Sequence, residues 1–464
     1  MYLGNKGYSI PKNIMSEEEI NNIKKELTFK ASNQYQSGNS IPVYRESSLK
    51  IYVPRFYGEN KYGSAPSQLK PGKNINVLFT GSLRDIQLPI VSAYLKCAET
   101  RGCGLLELPC GFGKTIIALH IASKLGKKTL VVVHKEFLLE QWKERIAEFL
   151  PSAKVGRIQG NIIDIDNKDI VLGMLQSLSM KEYNKEVFDD FGFTIIDETH
   201  HIAAEAFSNS LFKIVTPYML GLSATMTRKD GLTKVFKLFL GEVEYKAHRE
   251  KTNVTVHAIQ FNSVDMKYNE PIVNFKGQTH YTLMINKIAE YAPRVDFIAR
   301  VLTDLLRDSR NQQIMILSHT KQLLNSLHEV IVRLQLATVG YYVGGMKSSD
   351  LKETENKRVV LATYAMAEEA LDIKTLTTLI MATPKTNVTQ SIGRILREAH
   401  ERPLVVDIVD THDMFTSQWK KRKTYYNQQQ YIVQFCNSDT YPEFRDITLI
   451  KKCRINFSKL KTGT

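Results

Sequence analysis

The segment GCGLLELPCGFGKTIIALHIASKLG, residues 102–126, constrains the fold more than any other part of the chain. Its apolar start reads as a buried strand. The turn that follows holds Gly111 and Gly113, which free the backbone to point N–H groups inward. Apolar residues then recur at helical spacing and stop at Gly126, a residue that ends helices readily. Lys127-Lys128 and the apolar run TLVVV (129–133) close a strand–loop–helix–strand unit. Such a unit needs a parallel sheet under its crossover helix, so the chain is expected to be α/β.

The turn has the composition of a phosphate cradle: Pro109, Cys110, Gly111, Phe112, Gly113, Lys114 and Thr115. Lys114 offers a compact charge to the β- and γ-phosphates of ATP, and the Thr115 hydroxyl reaches Mg2+. The strict pattern has glycine where Leu108 stands. A second signal, IIDETHH at 195–201, follows another apolar strand about eighty residues on. There Asp197 is expected to hold Mg2+ and Glu198 to orient or deprotonate the attacking water. Taken alone, the same letters also describe a strand followed by an acidic helix cap.

From about residue 81 to 415 the chain resembles the superfamily 2 helicases. Arg84-Asp85-Ile86-Gln87 resembles their adenine-sensing Arg-x-x-Gln, VVVHKEFLLEQW (131–142) their motif Ia, and GMLQSL (173–178) a strand-touching segment. Ser223-Ala224-Thr225 matches motif III, IMILSHTKQLLNSL (314–327) motif IV, LATYAMAEEALDI (361–373) motif V, and QSIGRILRE (390–398) motif VI. Within the superfamily, LPCGFGKT, DETHH and SATMTRKDGL look most like the XPB-like group and its relatives in large DNA viruses, such as the poxvirus transcript-release helicase. Arg228-Lys229-Asp230 stands where that group carries Arg-Glu-Asp, and Ala370 where many members carry glycine.

The resemblance implies two tandem RecA-like parallel-sheet domains, with a small N-terminal module and a basic C-terminal extension. It implies nucleotide contacts at Arg84, Gln87 and Gln390, and arginines at 394 and 397 that reach the γ-phosphate. A core ion pair is the alternative role for Arg394. Nucleic-acid contacts would fall on His134, Lys135, Gln176, Ser177, Arg228, Lys229 and Thr363. Coupling of hydrolysis to movement would fall on His200, Ser223, Ala224, Thr225 and Asp372. The implied activity is an ATP-driven DNA helicase or translocase of 3′-to-5′ polarity, serving viral transcription or repair. An RNA-directed helicase, or an ATP-switched subunit of a transcription complex, stays open.

Composition agrees. The formal charge is 62 − 48 = +14, which suits a partner that is a polyanion, single-stranded or duplex DNA or else RNA. Cysteines at 97, 103, 110, 436 and 453 show no zinc-ligand spacing and are expected to be reduced. No apolar run approaches membrane length, and MYLGNKGYSIPK lacks the apolar core of a secretion signal, so a soluble intracellular protein is expected. Two RecA-like domains complete an ATP site in one chain, so a monomer suffices, with an RNA polymerase or transcription complex as the implied protein partner.

The expected parts are an N-terminal module (1–80), a first RecA-like domain (81–245), a connector or insertion (246–292), a second RecA-like domain (293–415) and a basic extension (416–464). Ser16 and Glu19 predict a capping box ahead of a helix over 16–29. The stretch 44–63 interleaves basic and aromatic residues, which suits either unstacked bases or a β-rich module packed on the first domain. The last 49 residues carry ten Lys/Arg against three Asp/Glu, as a nucleic-acid-facing helix or a solvated end would.

Overall fold

A computed structural model describes residues 1–30, 40–109, 111–199, 204–225, 233–247, 253–308, 312–369, 373–396, 400 and 403–441. The chain divides into two compact units, Met1–Arg249 and Glu250–Thr464.

The first unit opens with β1 (Tyr2–Gly4), β2 (Gly7–Pro11), α1 (Glu17–Glu26), β3 (Thr28–Lys30), β4 (Ser40–Pro42), β5 (Arg45–Glu46), β6 (Lys50–Val53) and α2 (Arg55–Tyr62). The sequence starts α1 as expected. Ser16 N–H donates to Glu19 Oε2 at 2.8 Å, while Glu19 N–H donates to Ser16 Oγ at 3.2 Å. Antiparallel strands in the order β1-β2-β6-β5 form a small sheet. The aromatic residues of 44–63 pack inward: Phe56 is buried in the same cluster as Phe207, Phe212 and Phe239 of the following domain.

That domain contains α3 (Leu88–Thr100), β7 (Cys103–Glu107), α4 (Lys114–Leu125), β8 (Thr129–Val133), α5 (Glu136–Phe149), β9 (Val155–Gln159), β10 (Ile162–Asp164) and β11 (Ile170–Met174). It continues through α6 (Leu175–Met180), β12 (Phe193–Ile196), α7 (Ala204–Leu211), β13 (Tyr218–Ser223), α8 (Thr233–Leu240) and β14 (Val243–Lys246). The sheet order is β10-β9-β11-β8-β12-β13-β7-β14, parallel except where β10 turns back on β9. Alternate residues of each strand enter different clusters. Leu106, Val131, Ile195 and Leu220 lie in one, Leu105, Leu130, Ile196 and Met219 in the other. Burial on both faces is why these strands read as continuous apolar runs.

The second unit holds β15 (Thr255–Phe261), α9 (Met266–Asn269), α10 (Tyr281–Glu290), α11 (Ala292–Asp308), β16 (Gln313–Ser318), α12 (Lys321–Arg333), β17 (Val339–Tyr342) and α13 (Ser348–Glu355). After them come β18 (Val359–Thr363), α14 (Tyr364–Glu369), β19 (Leu376–Met381), α15 (Thr389–Gly393), β20 (Leu404–Asp410), α16 (Asp413–Gln428) and β21 (Ile432–Asn437). Their sheet runs β17-β18-β16-β19-β20-β15-β21, all parallel. The fold is thus two tandem RecA-like domains. The stretches expected as connector and as basic extension each give this sheet a strand, β15 and β21. They pair with each other from Thr255↔Ile432 to Gln260↔Asn437.

Two buried ion pairs hold helices to β20. Asp407 and Asp410 are three residues apart, so they point to opposite faces of the sheet. Arg422 on α16 binds Asp407 through Nε at 2.7 Å and Nη2 at 2.9 Å, and Tyr426 Oη donates to the same carboxylate at 2.8 Å. On the other face, Arg294 of α11 binds Asp410 at 2.6 and 2.8 Å, and Tyr268 Oη donates to it at 2.7 Å. Burial, with Asp407 adding to it, pushes the Tyr426 phenol well above its ordinary range, so it stays a donor. No helix among the described residues is long and apolar enough to cross a membrane.

Candidate nucleotide site and nucleic-acid edge

In a parallel sheet every strand delivers its carboxyl end to the same edge, and ligands gather there. In the first unit β7 leads into Pro109–Gly113, and β8 into His134 and Lys135. Strand β11 leads into Gln176 and Ser177, β12 into Asp197 and Glu198, and β13 into Ser223–Thr225. Most of the candidate residues therefore line up along one edge.

The phosphate loop is held from both sides. Gly111 and Gly113 have φ of +87° and +75°, the left-handed region that glycine enters without penalty. Arg84 and Gln87, expected near adenine, contact the loop itself. Arg84 Nη2 donates to the Gly111 carbonyl at 2.9 Å, and Gln87 Nε2 donates to the Phe112 carbonyl at 2.8 Å. Gln87 is buried, and its Oε1 accepts the Arg84 N–H at 2.9 Å, so the two residues form one clamp. A Cβ added at Gly113 would lie 2.5 Å from Gln87 Nε2. The loop then enters α4, whose first residues are Lys114 and Thr115.

Across from it, Lys114 Nζ donates to Glu198 Oε1. Glu198 sits at φ +49°, an uncommon conformation for a non-glycine residue, and its N–H donates to Asp197 Oδ1 at 2.9 Å. Asp197 is buried, and Trp142 Nε1 donates to its Oδ2 at 2.8 Å. Burial, with the Glu198 charge next, pushes the Asp197 carboxyl up to about 6, while Lys114 and Trp142 pull it down. Motif Ia flagged the helix that carries Trp142, but nothing in its letters assigned the indole to this carboxylate.

The nucleic-acid candidates are less tightly built. Gln176 is exposed, and Ser177 Oγ accepts the Gly160 N–H at 2.9 Å. Ser223 Oγ donates to the Thr225 carbonyl at 2.5 Å, which tightens the turn through Ala224. In the second unit Thr363 ends β18, Gln390 lies on α15, and Arg394 follows that helix at 5% exposure. Cys110, His200, Arg228, Lys229, Asp372 and Arg397 lie outside the described residues.

Residues 80–228 match the family described as "Type III restriction enzyme, res subunit", and 298–399 match "Helicase conserved C-terminal domain". A protein of Acanthamoeba polyphaga mimivirus, named as a candidate ATP-dependent RNA helicase, is 36% identical over 449 residues, covering 92% of this chain and 85% of its own. The chain belongs to the superfamily 2 helicases. A helicase-named protein of Invertebrate iridescent virus 6 is 25% identical over 431 residues, covering 89% of this helicase and 96% of its own length. A candidate ATP-dependent RNA helicase of an African swine fever virus isolate is 27% identical over 360 residues, 72% of this helicase and 69% of the relative. The first match spans the clamp, the loop and the Asp197–Glu198 turn, and the second spans Thr363, Gln390 and Arg394. This helicase is accordingly an ATPase.

The residues present fit a magnesium ion carried in with the nucleotide. Asp197 is a hard oxygen donor whose ionisation is costly where it sits, a cost that a nearby cation would offset. When bound, Mg2+ would neutralise phosphate charge, and Asp197 with the Thr115 hydroxyl would hold it.

Proposed function

We propose that this helicase moves 3′ to 5′ along a DNA strand and opens the duplex ahead of it, at the expense of ATP taken up with Mg2+. The observation that carries the ATP-driven part is the row formed by Lys114, Glu198, Asp197 and Trp142 at the edge of the first sheet. Lys114 binds the phosphates once they displace it from Glu198. Freed of that partner, Glu198 accepts the proton of the attacking water, while Asp197 stays ionised. Arg394 and Arg397 counter the charge that builds on the γ-phosphate, a contribution of roughly 10³–10⁵ in rate where such arginines act.

His134, Lys135, Gln176 and Ser177 grip strand phosphates beside this row, with Arg228, Lys229 and Thr363 as further contacts. His200, Ser223–Thr225 and Asp372 pass the nucleotide state to that grip. The DNA and polarity assignments are supported by the resemblance of LPCGFGKT, DETHH and SATMTRKDGL to the XPB-like group. That resemblance, and relatives in large DNA viruses, support a place in viral transcription at transcript release, with repair as the next role. A monomer is sufficient for this cycle.

An RNA track is the second reading, because two relatives carry RNA helicase names. Strand displacement separates the two. Duplexes with 3′ tails of DNA should open faster than those with 5′ tails, and an RNA track should support little opening. Equal opening on RNA would replace DNA with RNA in this account.

A further inference from the structure

The amino-terminal edge of the first sheet, opposite the edge that carries Lys114 and Asp197, holds a cavity of about 420 Å³. Its lining comes from the β1–β2 turn, from the chain around Leu69 and Lys70, and from the segments that lead into β12 and β13. These walls are fastened to one another. Leu3 N–H donates to the Pro66 carbonyl at 3.0 Å and Gln68 N–H to the Leu3 carbonyl at 2.8 Å, which ties the second wall to β1. Lys73 N–H donates to the Asp190 carbonyl at 2.8 Å, which ties the same wall to the approach to β12. The cavity is therefore built without a ligand, as binding pockets usually are.

Its floor is aromatic and its rim is charged. Phe191 and Phe212 are buried, and Phe188 meets Tyr183 edge to face with ring centres 6.1 Å apart. Lys70 is paired with Asp189 at 2.6 Å and Lys213 with Glu182 at 2.9 Å. Lys6, which also lines the cavity, has no carboxylate partner among the described residues; its Nζ lies 5.0 Å from the centre of the Tyr52 ring. Beside the cavity, Lys50 Nζ donates to Tyr2 Oη at 3.2 Å, and that bond holds the Tyr2 phenol below its ordinary range. Tyr2 and Tyr52 stand in one cross-strand row, each opposite Ser9. The cavity and its border thus hold two ammonium groups more than carboxylates, which favours an anionic ligand.

The rim favours a peptide over a nucleic acid. Glu182 and Asp189 would meet a continuous phosphate backbone charge against charge, whereas a peptide offers them backbone N–H donors. Buried rings under a polar rim also suit one large side chain, as at the centre of a protein interface.

We propose that this cavity docks an acidic peptide segment of a protein partner. The segment sets one large apolar side chain on Phe188, Phe191 and Phe212, and its carboxylates meet Lys6 and Lys50. This goes beyond the motor reading and does not depend on it. The test selects a random peptide library displayed on phage against the immobilised full chain. Each enriched sequence is then measured as a synthetic peptide by fluorescence anisotropy.

Enriched sequences should share one large apolar residue flanked by Asp or Glu. Their affinity should fall about fivefold or more in Lys6→Glu and about tenfold or more in Phe188→Ala, with melting curves unchanged. Lys6→Arg should keep the affinity. Lys6 lies in a turn between strands, so Lys6→Glu decides the matter even where Phe188→Ala loosens the fold. No enrichment, enriched sequences without acidic residues, or affinity unchanged in Lys6→Glu would overturn the proposal. So would displacement of the peptide by single-stranded DNA whose own binding drops in the same variants, which would give the cavity to nucleic acid.

Discussion

Trp142 Nε1 donates to Asp197 Oδ2 at 2.8 Å, with both side chains buried. The bond joins the helix after β8 to the end of β12, the neighbouring strand. It lowers the cost of keeping Asp197 ionised where burial, first of all, raises its carboxyl to about 6.

Trp142→Phe keeps most of the ring volume and removes that donor. A hydrogen bond to a charged group is worth about 1.5–3 kcal/mol, so the carboxyl should rise further and hydrolysis should fall roughly tenfold or more. Steady-state hydrolysis by wild type and variant checks this.

Gly113→Ala should cripple nucleotide binding without unfolding the first unit. Its Cβ would meet Gln87 Nε2 at 2.5 Å, in a backbone conformation that disfavours any side chain. Binding of a fluorescent ATP analogue should weaken about tenfold or more, with the melting curve little changed.

These features were unevenly legible in the sequence. The loop glycines, Lys114 and the Asp197–Glu198 pair were readable because phosphate chemistry demands those residue types at a strand end. The Trp142 bond was not, since it depends on which strands become neighbours. Gln87 was read as a nucleotide contact, yet its clamp on Phe112 is a tertiary hydrogen bond across 25 residues. The segment 416–437 read as basic because Lys420, Lys421 and Lys423 dominate its composition. Its buried face is Trp419, Arg422 and Tyr426, a helical spacing disguised by an arginine that pairs inside the core.

Arg422→Met should therefore destabilise the second unit by about 3–5 kcal/mol, because it leaves the Asp407 charge buried without its cation. Adding Asp407→Leu to the same chain should recover part of that loss. Denaturant unfolding of both variants is the measurement.

His257 sets an acid limit on the same sheet. It lies opposite Gln434 in the β15–β21 pairing, and burial holds its imidazole down at about 4, against a slight lift from Gln434. A depressed basic group favours folding above the unfolded value of about 6.5, and that favour is lost as pH falls toward 4. Between pH 7 and pH 5 this amounts to about 1–2 kcal/mol. His257→Gln should flatten the fall in melting temperature over that interval.

The central claim is that polymer binding drives the row of Lys114, Glu198 and Asp197 through ATP hydrolysis, with DNA as the track. Its most direct test is the steady-state hydrolysis rate with no polymer, with single-stranded DNA, and with single-stranded RNA, for wild type and Glu198→Gln. We expect strong stimulation by DNA, little by RNA, and loss of turnover in Glu198→Gln with nucleotide still bound. Hydrolysis indifferent to both polymers, or undiminished in Glu198→Gln, would contradict the account.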